Sequence, residues 1–104
     1  MDESAEAAPQ DVAIALRDGG GVLIDVREPA EYEEKHIPGS VHIPLAELPD
    51  RLGDIPVDRD VYVHCHRGGR SARAVELLRR SGRPRAINVS GGIDAWSEAG
   101  LPTE

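Results

Sequence analysis

The chain has 104 residues, the length of one domain, with 39% hydrophobic and 30% charged residues and a formal net charge of −7. This composition is ordinary for a soluble globular protein and argues against a nucleic-acid partner. No stretch approaches the roughly 20 apolar residues of a bilayer span, the acidic start Met1 to Ala8 lacks the parts of a secretion signal, and the single cysteine, Cys65, excludes an internal disulfide, so a cytoplasmic location, no membrane partner and a free thiol are expected.

The chain divides into an acidic segment, residues 1–10, expected to be a loose start or a short first strand, and one folded domain, residues 11–104. With no Phe, one Trp and two Tyr, the core must be filled by Val, Ile, Leu and Ala, which suits a parallel sheet covered by helices. Residues 11–17 predict a helix stopped by Gly19, Gly20 and Gly21. The β-branched run 22–26 predicts a buried strand, and Pro29 opens a helix through Glu34 with acidic residues at its positive end. Residues 36–39, His-Ile-Pro-Gly, are turn chemistry leading into a strand at 40–43. Pro44 begins a polar, helix-like segment that ends near Gly53.

Residues 60–64 form the next strand, which ends on Cys65. The most regular helix covers 71–81, with Ser71, Ala74, Val75 and Leu78 on one face and Arg73, Glu76 and Arg80 on the other. A last strand at 86–89, a Gly91-Gly92 turn and a short helix at 93–99 complete the chain, Trp96 serving as core for that helix. Strands alternating with helices imply a mostly parallel sheet with helices on both faces. In such sheets ligands bind at the carboxyl ends of strands, where Cys65 lies.

Charge is unevenly spread. Between Cys65 and Arg85 seven arginines oppose Glu76 alone, a local balance of +6, so the remainder carries −13. Arg79, Arg80, Arg83 and Arg85 are expected on a solvated helix face, whereas Arg67 and Arg70 flank the cysteine. The segment His64-Cys65-His66-Arg67-Gly68-Gly69-Arg70-Ser71 favours an anion: Gly68 and Gly69 permit backbone angles that turn consecutive N–H groups inward, and the helix starting near Ser71 adds unpaired donors. Such donors, with the arginines, favour thiolate over thiol. An inert packing cysteine would need none of this. Neighbouring strand residues point to opposite faces, so His64, Cys65 and His66 do not converge on a metal, and no metal or cofactor is expected.

Three segments resemble the single-domain rhodaneses in order and spacing. They are Leu23-Ile24-Asp25-Val26-Arg27-Glu28-Pro29 through Glu31-Tyr32 into His36-Ile37-Pro38-Gly39-Ser40; the cysteine loop with Arg70-Ser71; and Asn88-Val89-Ser90-Gly91-Gly92-Ile93 with Trp96 and Gly100-Leu101-Pro102. The resemblance implies a five-stranded sheet and sulfur transfer through a Cys65 persulfide, from a small anionic donor such as thiosulfate to cyanide or a thiol. It assigns His66, Arg67, Gly68, Gly69, Arg70 and Ser71 to substrate binding, with Arg70 shaping the loop and binding the anion. Asp25 and Arg27 are implied as a structural pair, and His36 as a brace for its turn.

Three other readings accompany this one: a persulfide carrier serving a sulfur-carrier or desulfurase protein, a non-catalytic interaction module, and a phosphatase or arsenate reductase. The last is disfavoured because the related phosphatases place five residues between cysteine and arginine, and here there are four.

Overall fold

The computed structural model describes residues 6–104, so the first half of the acidic segment lies outside the described residues. In chain order the elements are β1 (Glu6–Ala7), α1 (Pro9–Arg17), β2 (Gly21–Asp25), α2 (Pro29–Glu34), β3 (Val41–His42), a 3-10 segment (Leu45–Asp54), β4 (Asp60–His64), α3 (Gly69–Arg80), β5 (Ala86–Val89) and α4 (Gly92–Glu98). The strands form one sheet in the order β1-β5-β4-β2-β3, every pairing parallel. The expected α/β architecture is thus present, and the sheet is wholly rather than mostly parallel.

Several boundaries differ from the sequence reading for local reasons. Helix α1 begins two residues early because Pro9 occupies its first turn, where a missing N–H costs nothing. The segment after Pro44 is 3-10 rather than α-helical: Pro49 lies inside it, and Arg51, at φ −121° and ψ 22°, breaks it into two pieces. Helix α3 starts at Gly69 instead of Ser71, because Gly68, at φ +120°, turns the chain directly into it.

The strand residues divide strictly by side. Ile24, Val61, Val63 and Ala86 pack with Ala74, Val75 and Leu78 of α3 and with Leu48 of the 3-10 segment. Leu23, Tyr62 and Val89 pack on the other side with Val12 of α1 and with Ile93 and Trp96 of α4. The buried residues of α3 are Ser71, Ala74, Val75 and Leu78, the face that periodicity selects. No helix among the described residues is long and apolar enough to cross a membrane.

The strand order also locates a crevice. After β2 the chain moves outward to β3, and after β4 it moves the opposite way to β5. The connections therefore part above the carboxyl ends of β2 and β4, where an open parallel sheet receives ligands. Arg27 and α2 stand on one side of this crevice, Cys65 and α3 on the other.

Trp96 is 3% exposed, and its indole N–H donates to the Pro102 carbonyl at 2.8 Å. Truncation to Ala removes the largest side chain of the α1/α4 layer and is expected to cost about 3–5 kcal/mol. Urea unfolding followed by circular dichroism measures this, and a loss within about 1 kcal/mol would show that α4 is not anchored through Trp96.

Candidate active site

Strand β4 is central and buried, and it delivers Cys65 to its carboxyl end with the side chain on the α3 side of the sheet. The thiol is 1% exposed, yet it lines a cavity of about 520 Å³ together with His66, Arg67, Gly69, Arg70 and Arg73. The Gly68 N–H donates to Cys65 Sγ at 3.0 Å, and the Ser71 hydroxyl stands 3.4 Å from the same sulfur. Burial pushes the thiol up. The Ser71 hydroxyl, then the Ser71, Gly68 and Arg67 amides, outweigh it and hold the thiol below its ordinary value. The leading stabilising groups are neutral dipoles of the loop and helix start, the inward N–H donors the sequence suggests, and the Arg70 guanidinium adds a coulombic attraction.

Ser71 is fully buried, and its hydroxyl also approaches Asn88 Oδ1 at 2.6 Å and Gly68 O at 3.3 Å. One hydrogen serves one acceptor at a time. A neutral thiol leaves it on Asn88, and a thiolate, the stronger acceptor, draws it toward sulfur. Asn88 Nδ2 donates to Gly68 O at 3.3 Å, so the same amide also steadies the loop.

The loop's carbonyls are satisfied from behind. Cys65 O accepts the Ile93 N–H at 2.9 Å and faces His64 Nδ1 at 3.1 Å, while His66 O accepts the Asp94 N–H at 3.2 Å. These amides belong to the first turn of α4, which reaches the loop because Gly92, at φ +62°, has no side chain. A Cβ there would lie 2.5 Å from both Cys65 O and His66 O. Burial keeps His64 below its ordinary value, against the attraction of Asp25. Because a carbonyl oxygen only accepts, the contact with Cys65 O places a proton on His64 Nδ1.

The other implied residues take distinct places. Arg70 lines the cavity, but its guanidinium grips Glu31 of α2 through two bonds of 2.7 and 2.9 Å. That pairing, more than burial opposes it, holds Glu31 down to about 2. The latch exists in full above the ordinary glutamate range and is lost only as pH falls through about 2, so it is closed at any working pH. His66 Nε2 lies 3.0 Å from Asp94, and Arg67, 82% exposed, lies 3.4 Å from the same carboxylate. Gly68 carries the positive φ that the loop needs; Gly69 does not, because it is already the first residue of α3 and a Cβ on it would meet nothing within 4 Å.

Asp25 and Arg27 are buried together, joined at 2.7 to 3.1 Å, and Arg27 Nη2 also donates to Lys35 O at 2.7 Å. Burial raises the Asp25 carboxyl, but Arg27 and His64 outweigh it and hold the group below its ordinary value. His36 does not line the Cys65 cavity. It bonds Tyr32 O through Nδ1 at 2.9 Å, stacks on the Tyr32 ring at 4.1 Å, and exchanges backbone bonds with Glu104.

Of the four arginines expected on a solvated helix face, Arg80 and Arg85 are exposed and Arg79 and Arg83 half-buried, and Arg83 and Arg85 lie beyond the end of α3. Arg79 donates to Ala86 O, Arg83 to Ser81 O and Leu52 O, and Arg85 to Asp60 and Asp58 O, because the chain after α3 turns back beneath them. Arg73 is exposed, as expected of the outer face, and also lines the Cys65 cavity. Glu31, Asn88, Gly92 and Asp94 join the site only in the folded chain. A polar Asn in a buried strand and a Glu three residues after Glu28 at a helix start are the signals that could have marked two of them.

Comparison with known proteins identifies the family and the fold. A family model described as rhodanese-like domain matches residues 8–99. A sulfurtransferase of Allochromatium vinosum is 42% identical over 81 residues, covering 78% of this chain and 76% of that protein. The thiosulfate sulfurtransferase GlpE of Pseudomonas syringae is 36% identical over 88 residues, covering 85% and 83%. A rhodanese-related protein of Thermoplasma volcanium superposes with a TM-score of 0.87 at 33% identity, covering 95% and 96% of the two chains. Two relatives from Bacillus subtilis are longer, and the chain spans 40% and 59% of their lengths.

Two outcomes test the cradle. Gly69→Ala should leave stability within about 1 kcal/mol of the parent, whereas Gly92→Ala should cost on the order of 1–3 kcal/mol and disorder the loop; urea unfolding of both separates them, and equal losses would contradict the docking of α4. Ser71→Ala should raise the thiol's apparent pKa and so reduce the thiolate present at neutral pH. Cys65 alkylation rates followed against pH should shift upward more for Ser71→Ala than for Arg70→Gln, and the reverse order would assign the thiolate to the guanidinium.

Proposed function

Because the chain belongs to the rhodanese-like family of sulfurtransferases, we propose that Cys65 is the atom that carries the sulfur and that thiosulfate is a donor. The observation that carries this reading is a sulfur 3.0 Å from the Gly68 N–H and 3.4 Å from the Ser71 hydroxyl, on an open cavity lined by three arginines. A thiolate held by preorganised donors is a nucleophile at neutral pH.

Cys65 Sγ attacks the outer sulfur of thiosulfate, a new S–S bond forms, the original S–S bond breaks, and sulfite leaves with the bonding electron pair. The product on the protein is a Cys65 persulfide, whose outer sulfur is anionic and keeps the company of the same donors. In the second half-reaction cyanide or a thiolate attacks that outer sulfur. Thiocyanate or a new persulfide departs, and Cys65 leaves as thiolate, ready for the next cycle. Each step is a displacement at divalent sulfur that needs no metal ion and no redox partner, and the sequence of two half-reactions gives ping-pong kinetics.

The loop length supports sulfur over phosphate. Four residues separate Cys65 from Arg70, and Gly68 folds its amide onto Sγ itself, so the donors converge on the sulfur position instead of ringing a tetrahedral ester beyond it. Incubation with thiosulfate should add one sulfur to the intact mass, dithiothreitol should remove it, and Cys65→Ser should never acquire it. Mass spectrometry of the intact protein decides the matter, and an unchanged mass for the parent chain would overturn the proposal.

A further inference from the structure

Seven arginines crowd the segment from Cys65 to Arg85, and their partners sort them. Arg70 is matched by Glu31 through two short bonds. Arg67 lies 3.4 Å from Asp94, which His66 also approaches. Arg79, Arg83 and Arg85 are engaged with backbone carbonyls or Asp60. Two remain, Arg73 and Arg80, both exposed and both without an ion-pair or hydrogen-bond partner among the described residues. Of these, Arg73 lines the cavity onto which Cys65 opens, and Arg80 does not.

The helix geometry explains the difference. Gly69, Arg70 and Arg73 follow one another at i, i+1 and i+4 on α3, so they share the flank that meets the cavity, and Gly69 adds no side chain to it. An anion entering this cavity meets three guanidiniums: Arg70, matched by Glu31; Arg67, at its mouth and beside the Asp94 carboxylate that His66 also approaches; and Arg73, whose charge is free. Resting on the sulfur-transfer reading, we propose that Arg73, and not Arg70, recognises the anionic end of the sulfur donor, so that the site selects donors with negative charge beyond the sulfur to be transferred, such as the sulfite portion of thiosulfate.

In the reaction Arg73 holds the group that departs as sulfite, while the Gly68 and Ser71 donors hold the sulfur that stays. Arg70 is then a positioning residue that fixes the first turn of α3 against α2. Arg73 stands outside both roles and touches only the substrate.

Alkylation of Cys65 by iodoacetate and by iodoacetamide, each normalised to a free thiol, reads this recognition without any sulfur transfer. At low salt Arg73→Gln should lower the iodoacetate-to-iodoacetamide rate ratio about 2- to 5-fold, the range of a partly solvated ion pair, Arg73→Lys should restore most of it, and Arg80→Gln should leave it unchanged. Added salt should bring the parent ratio toward that of Arg73→Gln. In thiosulfate:cyanide turnover Arg73→Gln should raise KM with kcat nearly unchanged. A ratio unaffected by Arg73→Gln, or lowered equally by Arg80→Gln, would overturn the proposal. A ratio that depends on Arg73 while no form of the protein gains mass from thiosulfate would instead overturn sulfur transfer and leave the anion recognition standing.

Discussion

A loop can aim its amide hydrogens at one sulfur only if its carbonyls are satisfied elsewhere, and this requirement organises the whole carboxyl edge of the sheet. Helix α4 meets it. The Ile93 and Asp94 amides bind Cys65 O and His66 O, so the positive end of one helix anchors the back of the loop whose front feeds α3. Buried polar backbone left without such partners would cost enough to unwind the turn. Gly92 is the condition for this contact, since any side chain there would occupy the position of the two carbonyls.

Around that core the polar residues divide their work. Ser71 faces the sulfur from the α3 side of the sheet, and Asn88 backs Ser71 and the loop. His64 supports the Cys65 carbonyl, and Arg27 holds Asp25 beside it while also gripping Lys35 O. The carboxyl ends of β2 and β4 are thereby locked in register, each buried charge matched by its neighbour. Removing one member of such a pair strands the other, which is why Asp25 and Arg27 belong together in any account of the site although neither touches Sγ.

The electrostatics of the site are local. The protein carries a net −7, and nearly every arginine near the cysteine is occupied by a carboxylate or carbonyl. Thiolate is favoured by dipoles at hydrogen-bond distance, whose effect persists in salt, whereas an exposed guanidinium acts through a screened field. Stabilising the Cys65 thiolate and presenting an unpaired positive charge to the cavity therefore fall to separate groups.

Much of this was legible beforehand. Alternating strand and helix signals, the aliphatic composition, the inward face of α3 and the position of Cys65 at a strand end all follow from local sequence, because burial periodicity and turn chemistry are short-range. The site residues that escaped were those whose role depends on a distant partner. Glu31 and Arg70 are 39 residues apart, and Ser71 and Asn88 are 17 apart. Gly92 signals a tight turn in sequence, and its closeness to the cysteine loop exists only once α4 has folded against β4. The family-like motifs and the place of the thiol at a strand end are set by sequence alone. Which arginine is spent on structure and which remains free for a ligand was decided by tertiary packing, since a charge's availability depends on what stands opposite it and not on its place in the chain.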